Sequence, residues 1–183
     1  MQISEAQNKA AGEFVELIAE RVSAGGRAIH PETAISCAAR VAGSLLLRSF
    51  NLGVESEEPG VVLLSNEANE KGPMLFRTLA GFLAHVGVPL DNALLGGEAA
   101  SRGAAPQLSV LEALALLQED AIQIAKNNNL RLEEAAQAAA LATGFIVKEC
   151  VTNIGAETGF NCAMFSFIEG CKTVPPYLGG KKA

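Results

Sequence analysis

Residues 31–50 constrain the fold more than any other stretch of this chain. Pro31 suits a first helical position, where its fixed φ is already helical and its missing N–H is not needed. Behind it, Ile35, Cys37, Ala38, Ala39, Val41, Ala42, Gly43, Leu45, Leu46 and Leu47 leave polar groups only on a thin line. That line, Glu32, Ser36, Arg40, Ser44 and Arg48, keeps i, i+4 spacing. A helix apolar around most of its circumference needs neighbours on nearly every side. Other helices must wrap it.

The rest of the sequence supplies them. Ser4 and Gln7 form a capping box, and Ala10, Ala11, Phe14, Leu17, Ile18 and Val22 recur as one apolar stripe, which Gly25-Gly26 ends. Pro73 opens a helix with Leu75, Phe76, Leu79, Phe82, Leu83 and Val86 on one face, closed by Gly87 and Pro89. Ser109 and Glu112 form a second capping box before a helix to Lys126, which Asn127-Asn128-Asn129 breaks. A long helix follows from about Leu132 to Ile154, with Glu133 and Glu134 favourably placed at its positive end. Thr158 caps a last helix through Phe160, Met164, Phe165, Phe167 and Ile168. Val61-Val62-Leu63-Leu64 is too short for periodicity to decide between a strand and a helical turn. The fold class is therefore all-α, a bundle of about six helices, with one short strand near 61–64 as the open alternative. One domain spans 1–183, with a flexible loop at 96–107 and a loose tail at 174–183.

Composition bears on partners. Apolar residues make up 49% and charged residues 19%, against about 25% charged in ordinary globular chains, so there is surplus apolar surface to bury. A membrane does not take it up: the charge-free helical run from Ala135 to Val147 is shorter than the roughly 18–20 residues a span needs. A subunit interface is the remaining sink, so a homo-oligomer is expected, a dimer first. Net charge is −6 with no basic stripe, which argues against nucleic acid. Met1-Gln2-Ile3-Ser4-Glu5 has neither the basic nor the apolar region of a secretory signal, so cytoplasmic localisation is expected. Cys37, Cys150, Cys162 and Cys171 show no zinc or redox spacing and read as reduced thiols, with Cys162 the candidate for an activated one.

Glycine lies inside four of these helices, at Gly12, Gly43, Gly81 and Gly144, each costing about 1 kcal/mol relative to alanine. Gly43 beside Ala39 and Gly144 beside Ala140 read as close helix contacts, whereas Gly12 and Gly81 fall on polar faces. On one of those faces Arg77, Gly81 and His85 stand at i, i+4 and i+8 with Thr78 alongside, a notch between a cation and an imidazole that suits a small anion. His30 and Glu32 flank Pro31 two turns from Cys37, the residue types of an assisted thiol nucleophile. Asn153 and Asn161, near Phe160 and Phe165, can line a ligand pocket or serve as helix-end polar groups. Glu67 and Glu70 are a weak carboxylate pair for a metal, and without a nearby histidine no metal or cofactor is expected. There is no phosphate loop, dinucleotide fingerprint, serine elbow or zinc-protease motif. No catalytic residue is assigned. The expected role is that of a helical, homo-oligomeric binding or interaction protein. The alternative is a small-molecule enzyme or ligand sensor with an interhelical pocket using His30 or His85.

Overall fold

In α2 (Pro31–Arg48), every residue from Glu32 to Leu47 is buried. The computed structural model describes residues 3–23, 29–96 and 103–180, and in it α2 packs against four other helices. The described helices are α1 (Glu5–Val22), α2, the short α3 (Asn66–Lys71), α4 (Pro73–His85), α5 (Val110–Asn127), α6 (Leu132–Ile154) and α7 (Ala156–Lys172). The protein is an all-α bundle. Six helices of 13 to 23 residues form it, and α3 adds one short element. The capping boxes at Ser4–Gln7 and Ser109–Glu112 are both formed.

α6 is the second central element, buried without interruption from Ala135 to Gly144 and lying against α1, α2 and α4. Much of the apolar surplus is thus sheltered inside the chain by two greasy helices. Buried polar groups at the α1–α6 contact answer one another: Gln7 donates to Oε1 of Gln137 at 2.7 Å and to the Glu134 carbonyl at 3.2 Å. Gly155, at φ +84°, turns the chain so that Gly159 lies against Val147 and Ile35. α7 therefore begins at Ala156 rather than behind Thr158, because a left-handed glycine ends one helix and opens the next without a hydroxyl cap.

α2 and α7 cross with their backbones touching. A Cβ on Gly43 would sit 2.5 Å from the Phe167 carbonyl oxygen and 2.7 Å from the Cys171 nitrogen. One on Gly170 would meet the Cα of Gly43 at 3.0 Å. Neither residue tolerates a side chain at this distance. Gly144 differs from its expected role: the Phe82 ring of α4, not a neighbouring backbone, fills the space beside it, 2.6 Å from where a Cβ would be.

Polar side chains of α2 fasten an extended segment to the core. Glu32 accepts from the Ala104 N–H, Thr33 from the Gln107 N–H, and Arg40 donates to the Leu108 carbonyl while also binding Glu169 at 2.8 Å. Residues 103–107 of the expected flexible loop are therefore held, while 97–102 lie outside the described residues, as do Gly25-Gly26 and residues 181–183. The tail expected to be loose from 174 starts anchored, since Val174 is fully buried and the Pro176 carbonyl accepts from Gln118. Val61–Leu64 is neither strand nor helix but makes a single antiparallel bridge, Val62 to Thr173. No helix among the described residues is long and apolar enough to cross a membrane.

Candidate functional site

On α4, 3.6-residue periodicity sets Arg77, Gly81 and His85 one above another on an exposed face. The opposite face carries Leu75, Leu79 and Leu83 into the core, which fixes the helix rotation and so the outward aim of Arg77 and His85 on either side of Gly81. These residues line a groove of about 910 Å³ between α4, the start of α1 and the middle of α6. Phe82, Leu141 and Phe145 form its apolar wall, and the rings of Phe82 and Phe145 stack at 4.3 Å with a 47° tilt. Nothing lies within 4 Å of the position a Gly81 Cβ would take, so the notch is open. Thr78 contributes surface rather than a free hydroxyl, because its Oγ1 donates back to the Met74 carbonyl at 2.9 Å. Among the described residues, Arg77 and His85 enter no ion pair.

A second groove, of about 600 Å³, adjoins the first and shares Asn8 and Phe145 with it. It runs between α1 and the C-terminal half of α6, bounded by Val15, Ile146 and Pro31, with Glu16, Glu149 and Asn153 as polar groups. Gly12 is the counterpart of Gly81 here, again with nothing within 4 Å of a would-be Cβ. The two glycines that fall on polar helix faces thus each open onto a cavity. Phe145, 39% exposed, divides the pair of grooves.

No family model, curated protein or solved structure matches this chain. The chemistry of the site has to come from its own residues.

The remaining sequence candidates lie elsewhere and hold structure together. His30 lines neither groove. Its Nδ1 is 3.1 Å from Thr33 Oγ1 and 3.6 Å from a Glu32 carboxylate oxygen, and Glu32 is itself buried and taken up by the 103–108 segment. Cys37 is fully buried, and burial pushes its thiol up to about 11. A thiol held protonated and away from solvent is no nucleophile. Cys162 is likewise not activated: burial raises it above the ordinary thiol value, against the opposing effect of the Ser36 hydroxyl 3.1 Å away. Asn161 is buried with its amide occupied, accepting from the Gly96 N–H and donating to the Leu94 carbonyl. Asn153 does reach a groove, the second one. Glu67 and Glu70 are exposed on α3, and no group of three His, Cys, Asp or Glu side chains among the described residues could hold a metal ion.

Sequence reasoning missed Asn8, Glu16, Phe145 and Glu149. The available signal was Gly12, a costly residue on the solvent face of a well-capped helix, which marks a place where something other than a side chain belongs.

Proposed function

We propose that this protein binds a small amphipathic anion, a molecule with a carboxylate-type head and an apolar body, in the groove between α1, α4 and α6. The observation that carries the reading is the open notch at Gly81, flanked one turn on either side by Arg77 and His85 and walled by Phe82 and Phe145. Residues one turn apart on a helix have their Cβ atoms about 5–6 Å apart, so both flanking side chains can reach a head group seated over the glycine. Arg77 supplies the planar donor fork that matches a carboxylate, and His85 a second nitrogen donor. The tail lies on the aromatic pair, where each buried methylene contributes up to about 0.8 kcal/mol. The reading contains no chemical step. It is that of a carrier or sensor. Its supports for a cytoplasmic setting are four free cysteines, two of them buried.

Titration calorimetry with decanoate tests it. For a ligand of about a dozen heavy atoms in an open groove, binding of about 10 µM to 1 mM is expected. Arg77→Ala weakens it about tenfold, as loss of a charge-assisted contact should. Gly81→Leu, whose Cβ has nothing within 4 Å and whose branch fills the notch, abolishes it. Equal binding by all three proteins, or none by any, refutes the proposal.

Self-association is a second reading, and a different face supports it. Phe165 (63% exposed) and Ile168 lie one turn apart on α7, and Leu64 (81% exposed) follows Leu63, whose N–H bonds the Lys172 carbonyl at the end of the same helix. Large apolar side chains gathered on one face are the usual mark of a subunit contact. Sedimentation equilibrium of wild type against Phe165→Ser tests it: a dimer converted to a monomer supports the reading, and a wild-type monomer at micromolar concentration ends it.

A further inference from the structure

The two grooves differ in the sign of the charge that lines them. Arg77 and His85 line the first, with no carboxylate, and Glu16 and Glu149 line the second, with no cation. They meet at Phe145, which faces both. The second groove repeats the design of the first with opposite polarity. Asn8, Gly12 and Glu16 stand at i, i+4 and i+8 on α1, as Arg77, Gly81 and His85 do on α4, and both central glycines are open. Glu149 has a surface partner in Lys148 at 2.6 Å, but both are largely exposed, and such a pair gives way readily to a better-placed cation. Glu16 has no ion-pair partner among the described residues.

We infer that the ligand is two-ended: a linear zwitterion whose anionic head lies over Gly81 and whose ammonium lies over Gly12 between Glu16 and Glu149, with an apolar spacer across Phe145. This rests on the anion reading proposed above and adds the second pole. A plain amphiphilic anion of the same length would lay an uncharged end between two carboxylates and leave both without a counter-charge. An ammonium there gains donors for both and satisfies the sign of the field along the whole trough. The length follows from helix geometry. Leu141 borders the first groove and Glu149 the second, eight residues apart on α6, or about 12 Å at 1.5 Å per residue, which a spacer of about ten carbons spans.

The test compares 11-aminoundecanoate with undecanoate on the full chain and on the Glu16→Gln, Glu149→Gln double variant, both substitutions being exposed and isosteric. Wild type binds the amino acid about tenfold more tightly than the plain acid, the size of one charge-assisted contact. In the double variant the preference disappears while undecanoate binds as before. If undecanoate binds but the amino group brings no gain, or the gain survives the double substitution, the second pole is wrong and the anion reading stands. If neither ligand binds wild type, both fall together. Unchanged thermal midpoints of the double variant certify that the fold is intact.

Discussion

Alanine at Gly43 should have the opposite effect from alanine at Gly12 or Gly81, and the contrast measures how closely α2 and α7 approach. The new methyl group at Gly43 would stand 2.5, 2.7 and 2.8 Å from Phe167 O, Cys171 N and Gly170 C, all backbone atoms of α7. Carbon contacts are comfortable at about 3.5–4.0 Å, so the helices must part by about 1 Å. None of these atoms can rotate away. Overpacking of this kind costs about 1–3 kcal/mol, and with three rigid partners the upper end applies. Against it stands the helix-propensity gain of about 1 kcal/mol for replacing glycine. The net loss is about 2 kcal/mol, or a fall of roughly 4–8 °C in Tm at about 2–4 °C per kcal/mol for a chain of this size. At Gly12 and Gly81 nothing lies within 4 Å, so only the propensity term remains. Each alanine there stabilises by about 0.5–1 kcal/mol. Urea unfolding followed by circular dichroism at constant slope provides the assay. If Gly43→Ala is as stable as wild type, or Gly12→Ala less stable, the close crossing and the open notches are wrong.

Other substitutions probe the polar fastenings. Arg40 is almost wholly covered and joins Glu169 to the Leu108 carbonyl, so Arg40→Ala should cost about 3 kcal/mol and speed hydrogen exchange at Ala104 and Gln107. Gln7→Ala removes a capping partner and the donor to Gln137 together, for about 2 kcal/mol by urea unfolding; a neutral result would count against the buried pair. Burial raises Cys37 from 9.0 to about 11 and Cys171 to about 12. Above pH 9 the unfolded chain releases these thiol protons while the folded chain keeps them, so folding loses roughly 1 kcal/mol per pH unit per thiol as pH rises from 9 towards 11. Cys37→Ala should show a shallower alkaline decline than wild type, and equal slopes would refute the burial.

The long helices were legible where local punctuation marks their ends, and α7, opened by Gly155 without a hydroxyl cap, is the one whose start was misplaced. Ser4 and Ser109 cap, Pro31 and Pro73 open, and Asn127 to Asn129 close, with Asn129 taking the left-handed conformation that ends α5. α3 escaped because five of its six residues are polar and the single apolar one, Ala68, sets no period, and its start depends on one hydroxyl, Ser65 accepting from the Ala68 N–H. The half of the site on α4 was visible for the same reason as the helices: Arg77, Gly81 and His85 share one helix, and local spacing alone aligns them. Asn8 and Phe145 were not visible, since their meeting with α4 depends on the packing of three helices distant in sequence. The same limit explains Asn161 and Glu32, polar residues whose partners, Gly96 and Ala104, lie far along the chain. A side chain's type suggested a ligand; only its neighbours could show it was already engaged.

The most direct test of the central claim is where decanoate lands. In ¹⁵N–¹H correlation spectra recorded during a titration, the account predicts saturable shifts at the amides of Asn8, Gly81, Phe82 and Phe145, with those of Phe165 and Ile168 unmoved. Shifts confined to the α7 face, or none at any concentration below micelle formation, would contradict it.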